Sequence, residues 1–227
     1  MKKIMFLLAL AAGLFSGAAA AQTRFGFRGG VQLADAGYTG SADPFIYYTI
    51  LTKDTKPWFT FFAGGLAERD ITKNLTLSAE LQVTGRGYSA TLEDTFGNTN
   101  SSKTRLWYVQ VPLACNVRWN GFFAGAGPYL GVGLGGKQTR SDYDAVKNVT
   151  FDYHYKVKFG NEEQHFFRPL DAGVYAQLGY SFRNVRLILS YQLGLNNIIP
   201  KYYVDTDEHA RHSSLGASVA YILGEGE

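Results

Sequence analysis

The sequence predicts an all-β chain, an eight-stranded antiparallel up-and-down transmembrane β-barrel with a long extracellular β-extension, and three observations predict it. Apolar and polar residues alternate with a period of two along most of the chain that follows the leader. The alternating segments are even in number and their connections are in turn long and short. Only 18% of the 227 residues are charged while 15% are aromatic, so apolar residues are balanced one by one against polar neighbours rather than gathered into long runs.

The N-terminal segment stands apart. Met1-Lys2-Lys3 is a positive start, Ile4 to Phe15 is apolar, and Ser16 to Ala21 is a run of small residues in which Ala18-x-Ala20 and Ala19-x-Ala21 fit a signal-peptidase site. Residues 1–21 read as a signal peptide and 22–227 as an outer-membrane β-barrel domain. The net charge of +3 falls to +1 without Lys2 and Lys3, which gives no reason to expect nucleic acid as a partner. A single cysteine, Cys115, allows no internal disulfide and no Cys-based metal site, and no cofactor is expected.

The strand segments, in order, are 23–33, 58–66, 74–88, 104–119, 121–136, 169–182, 185–196 and 211–223. In the third, Leu75, Leu77, Ala79, Leu81 and Val83 face one way, and Thr76, Ser78, Glu80, Gln82 and Thr84 the other. In the fourth, Trp107, Val109, Val111, Leu113, Cys115, Val117 and Trp119 alternate with Tyr108, Gln110, Pro112, Ala114, Asn116 and Arg118. The sixth alternates Leu170 to Phe182 against Asp171 to Ser181, and the seventh alternates Val185 to Leu195 against Arg186 to Asn196, with Ile188 the exception. The connections are long (34–57), short (67–73), long (89–103), very short (Asn120), long (137–168), very short (Arg183-Asn184) and long (197–210). This order expects tight periplasmic turns, longer outer loops and both termini in the periplasm. A secreted sandwich would also alternate, but its strands are commonly shorter, about 5–6 residues, and its buried face would not carry this set of charges.

The inward parity holds Arg28, Glu80, Arg118, Asp171 and Arg186, expected to form ion pairs in the lumen. Phe25, Trp119, Phe122, Phe182 and Tyr221 share the outward parity at the turn or terminus ends of their strands, as an aromatic girdle at one lipid interface requires. Ser214-x-Gly216-x-x-Val219-x-Tyr221 has the pattern of a C-terminal strand signal for the outer-membrane assembly machinery, although a Gly224-Glu225-Gly226-Glu227 tail follows where a terminal aromatic is usual.

Within loop 137–168, Val149, Phe151, Tyr153, Tyr155, Val157 and Phe159 alternate with polar residues, which predicts a strand over 149–159 rising above the membrane. Phe151, Tyr153, Tyr155 and Phe159 are the candidate surface for an extracellular protein or glycan. Other chemistry is sparse. His212 and Ser214 share the lumen side and form the one arrangement that suits a lipid-hydrolysing barrel, but polar lining explains them. Asp205, Asp207 and Glu208 could hold a divalent cation, though a solvated acidic loop accounts for them. Inward Gly125, Gly127, Gly131 and Gly133 either relieve crowding or leave a narrow water path.

The segments Gly26-Phe27-Arg28-Gly29-Gly30-Val31, Leu75 to Leu81, Tyr108-Val109-Gln110-Val111-Pro112-Leu113 and Gly125-Ala126-Gly127-Pro128-Tyr129-Leu130-Gly131, with Leu193-Gly194-Leu195, resemble the PorT-like outer-membrane β-barrel family of Bacteroidota. The likeness spans nearly all of the chain after the leader, departing at Gln110, where a Glu is common, and at the tail. It implies an eight-stranded barrel with no established enzymatic activity for most members; the expectation for this chain is a non-enzymatic barrel in outer-membrane lipid, an anchor or interaction platform linked to secretion or envelope integrity. A lipid A or phospholipid hydrolase and a narrow small-solute channel are the alternatives.

Overall fold

The computed structural model describes residues 23–39, 50–94, 99–145, 147–162, 165–200 and 209–224. The leader, the last-loop acids Asp205, Asp207 and Glu208, and the tail from Glu225 lie outside the described residues. The chain forms β1 (Thr23–Thr39), β2 (Ile50–Thr72), β3 (Leu75–Asp94), β4 (Thr99–Trp119), β5 (Phe122–Asp144), β6 (Val149–Val157), β7 (Leu170–Phe182), β8 (Val185–Gly194) and β9 (His209–Ile222).

Eight of these strands make a ring. Antiparallel pairing runs β1–β2–β3–β4–β5–β7–β8–β9, and β9 returns to β1 from Gly26↔Ile222 to Thr39↔His209. β6 pairs only with the upper part of β5, from Gly136↔Val157 to Asp144↔Val149, and so lies outside the ring. The turn end is tight for a local reason. Asn120 and Gly121 take φ of 48° and 82°, which the two-residue hairpin turn needs and which Asn-Gly supplies with least strain. Arg183, with φ of 52°, turns β7 into β8 in an equally short connection, Arg183-Asn184.

The strands are longer than the alternation alone indicates. β2 continues to Thr72, so most of the expected 67–73 connection is strand and only Lys73-Asn74 turns. β5 continues to Asp144, and residues 137–144 are therefore strand rather than loop. Upper β2, β3, β4 and β5 pair on past the ring and, with β6, make a five-stranded sheet above it. Residues 157–162, 165–167 and 195–200 then fold back over the loop end. There Tyr88, Leu106, Tyr108, Val157, Phe167, Ile198 and Ile199 form an apolar cap, with Phe159 and Phe166 packed on it.

The residues are sorted inside out. Along β8 and β9 burial alternates without a break: Leu187 and Leu189 are 60% and 52% exposed, Arg186 and Ser190 only 4% and 8%. From Val185 to Leu195 the outward apolar row rises about 25 Å at a strand tilt of about 40°, the height of the hydrocarbon band of such barrels. Trp119, Phe122, Phe182, Tyr221 and Phe25 are exposed at its turn end, where Trp119 stacks on Phe122 at 6.4 Å and Phe122 meets Tyr180 edge-on at 4.8 Å. Toward the loop end Phe61 packs on Trp107 at 5.1 Å, also on the outside.

The depth of the outward row is testable. Leu189→Arg, mid-row, should destabilise the folded barrel in lipid vesicles by about 2–4 kcal/mol, while Val185→Arg at the turn end should cost about 0–1 kcal/mol. Denaturant titration in vesicles measures both, and equal costs would contradict the placement of the band. The unboiled protein should also migrate faster than the boiled protein on a denaturing gel, because every ring strand is paired on both sides.

Candidate functional site

Inward side chains fill the ring in three polar layers beneath the apolar cap at the loop end. At the turn end Glu68 takes Arg118 Nη2 at 3.2 Å, Arg24 Nη2 at 3.8 Å and a charge-assisted hydrogen bond from Arg186. Asp70 accepts both Nη groups of Arg24 at 2.8 and 2.9 Å and the Thr76 hydroxyl at 2.8 Å. Leu66, Phe123, Ile188, Ala220 and Ile222 pack beside this layer, which accounts for Ile188 on an otherwise polar parity.

The middle layer is built on Arg28. Its Nη1 donates to Glu80 Oε1 at 2.7 Å and contacts Tyr175 Oη at 2.5 Å, its Nη2 donates to Ser190 at 3.1 Å, and its Nε donates to Ser218 at 2.9 Å. Gln82 donates to the second oxygen of Glu80, so both carboxylate oxygens are held. Gln110 Nε2 donates to Gln82 Oε1 at 3.0 Å and joins this layer to the next. In that layer Arg86 donates to Ser214 at 2.9 Å, to Gln110 at 3.1 Å and to Gln192, with Asp171 at 3.9 Å. Tyr129 donates to the other Asp171 oxygen at 3.1 Å. Above it His212 Nε2 lies 3.3 Å from Tyr108 Oη, directly under the apolar cap.

The five charges singled out by parity thus fall into separate layers. Arg28 and Glu80 meet each other; Arg118 and Arg186 meet at Glu68; Asp171 meets Arg86. Glu68, Arg86, Arg24 and Asp70 were not singled out. Arg86 continues the inward series Glu80, Gln82, Thr84 along β3, so parity carried far enough finds it. Glu68 and Asp70 lie where β2 outruns its expected end. Two of the inward glycines face side chains that fill the space beside them. A Cβ on Gly133 would lie 2.5 Å from the Phe159 ring, and one on Gly125 would lie 2.0 Å from the Asn116 amide oxygen, so neighbours already occupy that room.

On the sheet above the ring, Phe151, Tyr153 and Tyr155 stand exposed in a row, with Tyr153 and Tyr155 stacked at 6.3 Å. Their cross-strand neighbours are Asp142, Arg140 and Gln138, and Arg140 Nε holds Asp142 at 2.6 Å. Phe159 is a correction to the expected row. The strand stops at Val157, and Phe159 turns down onto Tyr108 at 5.3 Å and Phe167 at 6.5 Å as part of the cap. Of the expected assembly-signal residues, Val219 and Tyr221 face outward, while Ser214 and Gly216 face the lumen. Among the described residues no group of three potential metal ligands comes together.

Breaking one partner of a buried ion pair leaves the other charge uncompensated, at about 3–5 kcal/mol. Glu80→Gln and Arg28→Met should each destabilise the barrel by that amount, and the double variant should recover much of it. A double-mutant cycle by urea titration in vesicles measures the coupling; additive losses would mean that the pair does not interact.

The model of the outer membrane protein β-barrel domain family matches residues 16–200. No curated protein matches the sequence. Among solved structures, Neisserial surface protein A is similar at 13% identity and a TM-score of 0.44, over 87% of this chain and 96% of that one. The attachment invasion locus protein Ail of Yersinia pestis is similar at 11% identity and a TM-score of 0.43, over 89% and 99%. The outer membrane protease OmpT of Escherichia coli is similar at 10% identity and a TM-score of 0.38, over 91% and 99%. With a closed ring of eight amphipathic strands and the family model matched along most of its length, the chain belongs to the outer membrane protein β-barrel domain family.

Proposed function

We propose that the barrel is a non-enzymatic anchor in the outer membrane whose working part is the five-stranded sheet at its loop end. The observation that carries this reading is the combination of a filled lumen with an exposed aromatic row on an edge strand. In this reading the tight turns and both termini face the periplasm, and the sheet stands outside the cell. Within the wider family we place the chain in the PorT-like group of Bacteroidota, on the strength of Gly125-Ala126-Gly127-Pro128-Tyr129-Leu130-Gly131.

Several contacts favour an anchor over a lipid hydrolase or a solute channel. His212 and Ser214 are both buried, one against Tyr108 and the other against Arg86, beneath a cap that separates them from the loop-end surface. A nucleophile and its base need to reach each other and a substrate. Three layers of paired Arg, Glu, Asp, Gln and Tyr side chains leave little room for a solute. The aromatic row, by contrast, offers flat apolar area beside an Arg–Asp pair, a composition suited to stacking against a sugar ring or an aromatic side chain of a surface partner.

Removing the row while keeping the cap tests the reading. A Phe151→Ser, Tyr153→Ser, Tyr155→Ser variant should keep the heat-dependent gel shift, since these side chains lie above the ring. Binding of nanodisc-held barrel to immobilised glycans and extracellular proteins should fall by roughly tenfold or more, the loss expected for truncated aromatic anchors. Lipids of cells making the wild-type barrel, His212→Ala or Ser214→Ala should be identical by mass spectrometry. A lipid product that disappears in either of the last two variants would favour the hydrolase.

A further inference from the structure

The turn end carries a second feature that the anchor role does not use. Residues of three turns, Lys73-Asn74, Asn120-Gly121 and the one at Arg183, line an open cleft of about 290 Å³. Lys73, Arg118, Arg183 and Arg186 line it, with Asn74, Asn120 and Ser181, and among the described residues no carboxylate lines it. Behind it Arg24, Arg118 and Arg186 meet Glu68 and Asp70. Lys73 and Arg183 make no ion pair with a carboxylate among the described residues. The cleft therefore holds a positive excess beside the aromatic girdle, at the level where lipid headgroups lie.

The same cleft opens onto the lipid-facing wall. Phe122 lines it and also lines a shallow apolar groove of about 530 Å³ on the outside of the ring. The groove follows the strand register. Phe122 pairs with Tyr180, Tyr180 with Leu187, Leu187 with Val219, and Val219 with Gly29. Phe122 opens β5 at the turn, Tyr180 and Leu187 stand one outward position in from the β7–β8 turn, and Gly29 lies beyond Phe25 and Phe27 on β1. Because the strands tilt, this row climbs from the headgroup level into the hydrocarbon.

We infer that the turn end binds one anionic phospholipid of the phosphatidylglycerol type, its phosphate in the cleft of Lys73, Arg118, Arg183 and Arg186 and one acyl chain along the groove from Phe122 to Gly29. The phosphate finds cationic donors, and Asn74, Asn120 and Ser181 offer partners for glycerol hydroxyls. A headgroup that carries its own ammonium finds no carboxylate among the described residues that line the cleft, so phosphatidylethanolamine is disfavoured. That the lipid comes from the periplasmic leaflet rests on the orientation proposed above; the binding itself does not.

The test is native mass spectrometry of the full barrel in detergent with phosphatidylglycerol, with phosphatidylethanolamine, and with glycerol phosphate, which has the headgroup chemistry and no chain. One phosphatidylglycerol should be retained under conditions that strip phosphatidylethanolamine, and glycerol phosphate should not displace it. A Lys73→Gln, Arg183→Gln variant leaves the Glu68 and Asp70 layer intact and should bind about thirtyfold more weakly, about fivefold for each basic side chain. Ala217→Phe, which fills the groove without touching the cleft, should also weaken retention, while both variants keep the heat-dependent gel shift. Equal retention of the two lipids, or undiminished phosphatidylglycerol in the Lys73→Gln, Arg183→Gln variant, would overturn the proposal. Displacement by glycerol phosphate would overturn the part played by the groove. A periplasmic peptide or glycan strand that binds the cleft better than the lipid would overturn it as well.

Discussion

Hydrocarbon cannot hydrogen-bond a peptide group, and the rest of this structure follows from that. A strand in such a solvent needs a partner on both edges, so the only stable sheet is one that closes. Pairing of β1 with β9 over almost the whole of both strands is that closure. Once the ring is closed, the period of two decides everything else: alternate side chains meet lipid and the others meet one another. The exposed Leu187, Leu189 and Val219 and the buried Arg28, Glu80 and Gln82 are two results of one constraint.

A ring of eight strands is too narrow to hold bulk water, so its inward groups must satisfy each other. Arg28 shows how fully this is done: each of its three nitrogens reaches an acceptor, and these acceptors come from β9, β3, β7 and β8. Such a layer also fixes register. Sliding one strand by a residue would turn Arg28 or Glu80 toward lipid, at a cost well above what any alternative pairing of Leu, Val and Ala could return. The ion pairs thus contribute more to choosing one barrel over its neighbours in register than to net stability, since a buried pair offsets little more than its own desolvation.

Much of this was legible in the sequence, because parity is a local property. The ring, the lumen charges Arg28, Glu80, Arg118, Asp171 and Arg186, and the extra strand above the membrane can all be read from alternation and connection length. What was not legible depends on where alternation stops meaning burial. Beyond the membrane both faces of a strand meet water, so the apolar pattern fades while the hydrogen-bond ladder continues through Glu93↔Thr99 and Tyr143↔Thr99. The lower end of β2, and with it Glu68 and Asp70, was hidden for a different reason: Ala67 and Arg69 occupy the outward parity there, where large apolar residues would mark it as strand. Phe159 was hidden for the opposite reason. It keeps the phase of Phe151, Tyr153 and Tyr155, but the chain leaves the sheet at Val157 and its ring drops into the space over Gly133, a contact between residues far apart in sequence.

The two ends of the ring are built differently, and the difference has a physical cause. At the turn end the strands stop within a residue or two of the girdle, since Asn120-Gly121 and Arg183 reverse the chain in the least possible length. Charges gathered there stay at headgroup depth, which is why the Glu68 layer and the basic cleft sit side by side. At the loop end β2 to β5 run on past the hydrocarbon, and the apolar cap of Tyr108, Phe159, Phe167, Ile198 and Ile199 gives the emerging sheet something to rest on. The cap covers the lumen beneath it and takes in Val157, the last residue of β6. An exposed aromatic row needs such a rigid base if binding is not to be offset by the entropy of ordering it. The plug that closes the barrel is thus the part that holds its outer sheet in place.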